Sequence, residues 1–219
     1  MEDIINMEIR RRLENNEVSN EEVKEEGKQI NSFEFMNMLL ADINNKRLNI
    51  IGDFNEDLLK YVRDFANNLY FLPEDDCRIV EVIISSHGGE AAVLFSILDI
   101  LDEIKETWGA TIVTIAEGFA ESCGAILFLY GDVKECGKHA EVMIHELSYG
   151  VHSCLSDHKK ELKRSEKMQK KINKIITEHS PITEKQLNKW YKEDGDKFLD
   201  YDDLLELGVI EKDKDEDEK

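Results

Sequence analysis

The chain has 219 residues, enough for one α/β domain with a small appendage. Acidic residues number 48 and basic ones 28, a net charge of −20. That charge argues against a nucleic-acid binder, which needs clustered Lys and Arg for phosphates, and against a protein resting on an anionic membrane. With 41% hydrophobic residues the chain can bury a core.

The N-terminus, Met1 to Arg12, lacks a signal-peptide pattern. The longest compact apolar run, Ala125 to Tyr130, is far short of the about 20 residues a spanning helix needs. Residues 1–45 form an acidic arm, partly helical or mobile, and 212–219 an acidic, disordered tail. The folded body is 46–211. Cys77, Cys123, Cys136 and Cys154 form no C-x-x-C pair, and the six His do not fall at zinc-ligand spacings with them. Free thiols in a reducing cytosol fit this pattern, with no metal and no cofactor.

The body alternates strands and helices. Leu48 to Ile51 is a short apolar strand ended by Gly52, and Leu58, Val62, Phe65, Ala66 and Leu69 recur at helical spacing. Ile79 to Ile84 is a β-branched strand running into the turn Ser85-Ser86-His87-Gly88-Gly89. A helix from Ala91 to about Thr107 and a strand from Thr111 to Ala116 complete a βαβ unit. A further helix starts near Ser122, and Val142 to Ile144 is another short strand. Leu155 to His179 is a long helix with Ser156 as its N-cap. Its apolar stripe, Leu162, Met168, Ile172, Ile175 and Ile176, is thin, so the helix reaches out and completes its burial against a partner. Its lysines lack interleaved aromatics and read as a solvated or salt-bridged face rather than an RNA site.

Four segments can carry chemistry. Ser122, between Gly118-Phe119-Ala120-Glu121 and Cys123-Gly124-Ala125, stands where a strand gives way to a helix. There free amides and the helix dipole can stabilise an oxyanion, although a plain N-cap is the commoner use of such a Ser. The Gly88-Gly89 pair, past the end of a buried strand, can offer an amide to a substrate carbonyl or simply make the turn. His145 follows the strand Val142 to Ile144; a His there is a candidate base or a structural residue. Between Glu193 and Asp203 lie six carboxylates, among which periodicity does not choose. Together they supply the parts of acyl transfer: oxyanion donor, nucleophile, base and orienting carboxylate.

These blocks resemble ClpP, the family of proteolytic subunits of the ATP-dependent Clp serine protease. Its signature runs are I-x-S-P-G-G, G-x-A-A-S-M-G-A, M-I-H-Q, D-R-F and a final Y-G-L-I-D-like strand. They are matched here by Ile84 to Gly89, Gly118 to Ala125, Met143 to Glu146, Asp196-Lys197-Phe198 and Leu207 to Glu211. Two positions depart: His87 replaces the proline, and Glu121 replaces a small residue before the serine. The resemblance implies a catalytic triad of Ser122, His145 and Asp196, with an oxyanion hole from the amides of Gly89 and Cys123. It implies the α/β ClpP/crotonase-like superhelix of stacked β-β-α turns, with 155–179 as a protruding handle helix. It also implies that an extended substrate pairs with a strand at 147–154. The implied function is a cytoplasmic serine endopeptidase that forms homo-oligomeric rings. It would cleave unfolded proteins with an AAA+ unfoldase of the ClpX, ClpA or ClpC type as partner. Alternatives are a viral capsid-maturation (prohead) protease of the same fold, a catalytically inactive ClpP-like subunit, and a crotonase-like acyl-CoA enzyme.

Overall fold

The computed structural model describes residues 43, 45–72, 79–148, 150, 154–193 and 195–212. Almost all of the acidic arm, Pro73, Cys77, Asp194 and residues 213–219 lie outside them. Ile43 is nonetheless fully buried in the core.

A six-stranded, mostly parallel sheet carries the molecule. Strand β1 (Arg47–Ile51) leads to helix α1 (Glu56–Leu69), β2 (Ile79–Ser86), α2 (Ala91–Trp108) and β3 (Thr111–Glu121). The strands run parallel in the order β1-β2-β3. Asn55 caps α1, its side-chain oxygen accepting from Leu58 N–H at 3.0 Å, and Glu56 and Asp57 in the first turn favour the same start. Helix α2 stops at Gly109, whose φ of 61° is the left-handed C-terminal conformation that glycine adopts without strain.

Strand β3 is longer than the six residues expected. Its register to β2 passes from Ile84↔Ala116 to Ser86↔Ala120, so four steps along β3 match two along β2. The surplus is a bulge at Glu117-Gly118, with Gly118 at φ 71°. The bend gives β3 two partners on one flank. Val113–Ala116 pair with β4 (Val133–Cys136), a strand the sequence reading missed, and Phe119–Glu121 pair with β5 (Glu141–Ile144). The charge at Glu117 and the glycine after it read as a strand end because they mark a kink.

Helix α3 (Cys123–Tyr130) leaves β3 directly, and all eight of its residues are buried. The apolar run of the sequence is therefore a central core helix, hydrophobic on every side. Helix α4 (Leu155–His179) has the expected bounds but starts from Cys154, not Ser156, and Cys154 makes no side-chain cap. Among its described side chains only the second half is buried, at Ile172, Asn173 and Ile176, while Leu162 is half exposed. After α5 (Glu184–Glu193), β6 (Lys197–Leu199) pairs antiparallel with β5, and α6 (Tyr201–Glu206) is started by a capping box between Asp200 and Asp203.

Residues 207–211 are not the expected final strand. Gly208, at φ 69°, closes α6 in a turn: Gly208 N–H donates to Leu205 O and Val209 N–H to Leu204 O. Val209 and Ile210 still bury their side chains. Leu147 and Ser148 are likewise not in a strand, and Tyr149 and residues 151–153 lie outside the described residues. Among the described residues, no helix is long and apolar enough to cross a membrane.

Candidate active site

The bend in β3 aims its last residues at the end of the sheet, and Ser122 follows. Its φ of 54° lies in the left-handed region, a strained setting for a residue with a Cβ. The strain has a counterpart in hydrogen bonding. Ser122 N–H donates to Met143 O at 2.8 Å, pinning the residue to β5, and Ser122 O accepts from Ile126 N–H as the first bond of α3. Its hydroxyl does not cap the helix. Instead it lies 2.8 Å from Nε2 of His145, which stands one residue beyond β5. An alcohol bonded to an imidazole nitrogen is the geometry of a base-activated nucleophile.

The glycine turn packs against this pair. Phe54 forms a parallel bridge with Gly89: Phe54 N–H donates to Gly88 O at 2.8 Å, and Glu90 N–H to Phe54 O at 2.9 Å. The bridge uses groups of residues 88 and 90, and the carbonyl of Gly89 faces α3. There Cys123 Sγ donates to Gly89 O at 3.3 Å. Gly89, at φ 143°, has no room for a side chain: a Cβ would stand 2.7 Å from Phe54 N. The buried Ser86 hydroxyl completes the turn, accepting from Gly88 N–H at 3.0 Å and donating to Gly52 O at 2.5 Å. Cys123 is the first residue of α3, where backbone amides lack partners within the helix. Burial pushes the Cys123 thiol up to about 11, only partly offset by hydrogen bonds to the sulfur, so it stays a neutral thiol beside the serine.

Asp196 is placed differently. The antiparallel register Val142↔Leu199, Met143↔Phe198, Ile144↔Lys197, continued by one residue, sets Asp196 across from His145. Asp196 is exposed, however, and among the described residues no hydrogen bond joins it to the imidazole. Ser122 and His145 are brought together; Asp196 stands across from His145, with no hydrogen bond between them among the described residues.

A cavity of about 50 Å³ opens beside the pair, walled by Cys123, Ile126, Ile144, Leu147, Ile172 and Ile176. Gly89, Ala91, Leu147 and Ser148 are shared with a wider groove that runs past Phe54 to the outer half of α4. Sequence reasoning missed the bonds that fix the Leu147 wall. Leu147 N–H donates to Gln169 Oε1 at 2.6 Å, Gln169 Nε2 donates to Asn173 Oδ1 at 2.7 Å, and Tyr191 OH donates to the same oxygen at 3.0 Å. Polar residues spaced by four on an apolar helix face were the available signal. Ser86 and Phe54 were missed as well.

The family model described as Clp protease matches residues 32–214. Three curated relatives align over most of both chains. The ATP-dependent Clp protease proteolytic subunit 2 of Bacillus licheniformis is 31% identical, covering 82% of this chain and 90% of its own. The ATP-dependent Clp protease proteolytic subunit 1 of Shouchella clausii is 32% identical, covering 82% and 89%. The proteolytic subunit 2 of Treponema denticola is 28% identical, covering 78% and 82%.

Proposed function

The chain belongs to the Clp protease family, and from that premise we propose that it is a serine endopeptidase acting through an acyl-enzyme at Ser122. The carrying observation is the 2.8 Å bond between Ser122 Oγ and His145 Nε2. His145 takes the hydroxyl proton as Oγ attacks the scissile carbonyl, then returns it to the leaving amine. The amides of Gly89 and Cys123 receive the developing oxyanion, aided by the dipole of α3. Asp196, across the β5–β6 register, holds Nδ1 and stabilises the imidazolium once it closes the remaining gap. An apolar side chain of the substrate enters the cavity walled by Ile126, Ile144 and Ile172.

The relatives are named as subunits of an ATP-dependent protease, and we extend that arrangement to this chain. It forms a homo-oligomeric ring and takes unfolded protein from an AAA+ ATPase partner. The thin apolar stripe and exposed outer half of α4 support burial against further copies. Among the described residues, the free thiols of Cys123 and Cys136 fit a cytoplasmic setting.

Hydrolysis of a fluorogenic peptide with an apolar residue before the scissile bond tests the reading, alone and with a Clp-type ATPase and an unfolded protein. The assembled protein is expected to cleave the peptide, and unfolded protein only when ATPase and ATP are present. An assembled ring inert towards both would contradict it and favour a catalytically inactive subunit.

A further inference from the structure

One contact binds the two segments that converge at Ser122 without belonging to the triad or the oxyanion hole. His87 Nδ1 lies 2.7 Å from Glu121 Oε2, across 34 residues of sequence. The imidazole also stacks on Phe119, with ring centroids 4.1 Å apart and planes 12° from parallel. His87 is two residues before Gly89, and Glu121 immediately precedes Ser122. Between these two arms, Gly88 packs directly on Ser122. The pair therefore staples the glycine turn to the end of β3.

The Glu121 side chain is only 19% exposed, and its carboxylate has His87 as a hydrogen-bond partner. It sits one residue from the point where negative charge develops during acyl transfer. Freed from His87, it would oppose that charge and loosen the turn. We propose that His87 is a positioning residue for hydrolysis at Ser122: it keeps the Glu121 carboxylate engaged away from the oxyanion and fixes the Gly88-Gly89 turn against the nucleophile. The inference rests on the reading of Ser122 as the nucleophile. It makes the two departures from the family pattern one unit, with each residue tolerable because of the other.

That interdependence has a signature that simple loss of packing lacks. An unpartnered Glu121 is worse than no Glu121 at all. The measurement is kcat and KM of the assembled protein on a fluorogenic peptide for wild type, His87→Ala, Glu121→Ala and the double variant, with melting temperatures alongside. His87→Ala is expected to lower kcat about tenfold with KM little changed, a coupling in the range contacting residues show. The double variant is expected to regain most of that loss. His87→Ala/Glu121→Gln, which keeps the side-chain volume but removes the charge, is expected to regain it too. If neither second substitution restores kcat, or if the losses multiply, the inference is overturned. A wild type that neither cleaves peptide nor acquires an acyl-type label at Ser122 would sink the nucleophile reading and this inference together. An active wild type with multiplying losses sinks the inference alone.

Discussion

Gly88 lies so close to Ser122 that a β-carbon built on it would stand 2.7 Å from the serine β-carbon and 3.1 Å from the amide nitrogen of Cys123. Its φ of 103° also excludes a side chain without strain. Gly88→Ala must therefore push the turn away from the nucleophile. We expect kcat to fall on the order of a hundredfold, comparable to losing an oxyanion donor. Circular dichroism and native mass should stay close to wild type. Near-normal turnover by Gly88→Ala would show that this packing does not set the site.

His145 and Asp196 should not be equal in effect. His145 already touches the nucleophile, whereas Asp196 stands opposite it without a bond. We expect His145→Ala to cost about 10³-fold or more in kcat, and Asp196→Asn to fall well below wild type through misoriented imidazole. Combining the two should cost little beyond His145→Ala, since the residues act as a unit. Steady-state kinetics of the three variants checks this; fully multiplicative losses would place Asp196 outside the unit.

A folding control comes from Thr114, buried in the middle of β3, whose hydroxyl donates to Phe128 O of α3 at 2.7 Å. Thr114→Val leaves that carbonyl without its donor, at a cost of about 1–3 kcal/mol. Chemical denaturation should register the loss. kcat below the melting transition should hold within a few-fold, because the change lies in the core and not at the turn.

Stability should decline at alkaline pH. Burial raises the Cys123 thiol from its ordinary 9.0 to about 11, and Cys136 to about 11 for the same reason. Above pH 9 the unfolded chain gives up these protons while the folded chain keeps them. The unfolded state then binds fewer protons, so stability falls as pH rises from about 9 towards 11. Below pH 9 both states hold them, and the thiols add no slope. Denaturation midpoints across this window should drop, and drop less steeply in Cys123→Ala. Equal slopes would contradict the assignment to Cys123.

Much of this was legible from particular residues. The bounds of α4 follow from a clear helical stretch between Cys154 and Ser180, and β2 from the β-branched run starting at Ile79. Ser122 and His145 were placed by strand-to-helix and strand-end junctions, which local pattern reveals. The bulge at Glu117-Gly118 was not legible, because a kinked strand and an ended strand use the same residues. Strand β4 escaped because Val133-Lys134-Glu135-Cys136 has one strongly apolar side chain and owes its conformation to pairing with β3. Asp196 was singled out by resemblance alone; periodicity offered six equivalent carboxylates. The partnership of His87 and Glu121 spans 34 residues, a distance over which no local pattern speaks.

The central claim is that His145 activates the Ser122 hydroxyl, and reaction with a fluorophosphonate tests it most directly. Intact mass after exposure should show one adduct per chain, mapped by peptide analysis to Ser122, absent in Ser122→Ala and slowed at least a hundredfold in His145→Ala. An assembled protein that takes up no label, or a Ser122→Ala variant labelled as fully as wild type, would contradict the account.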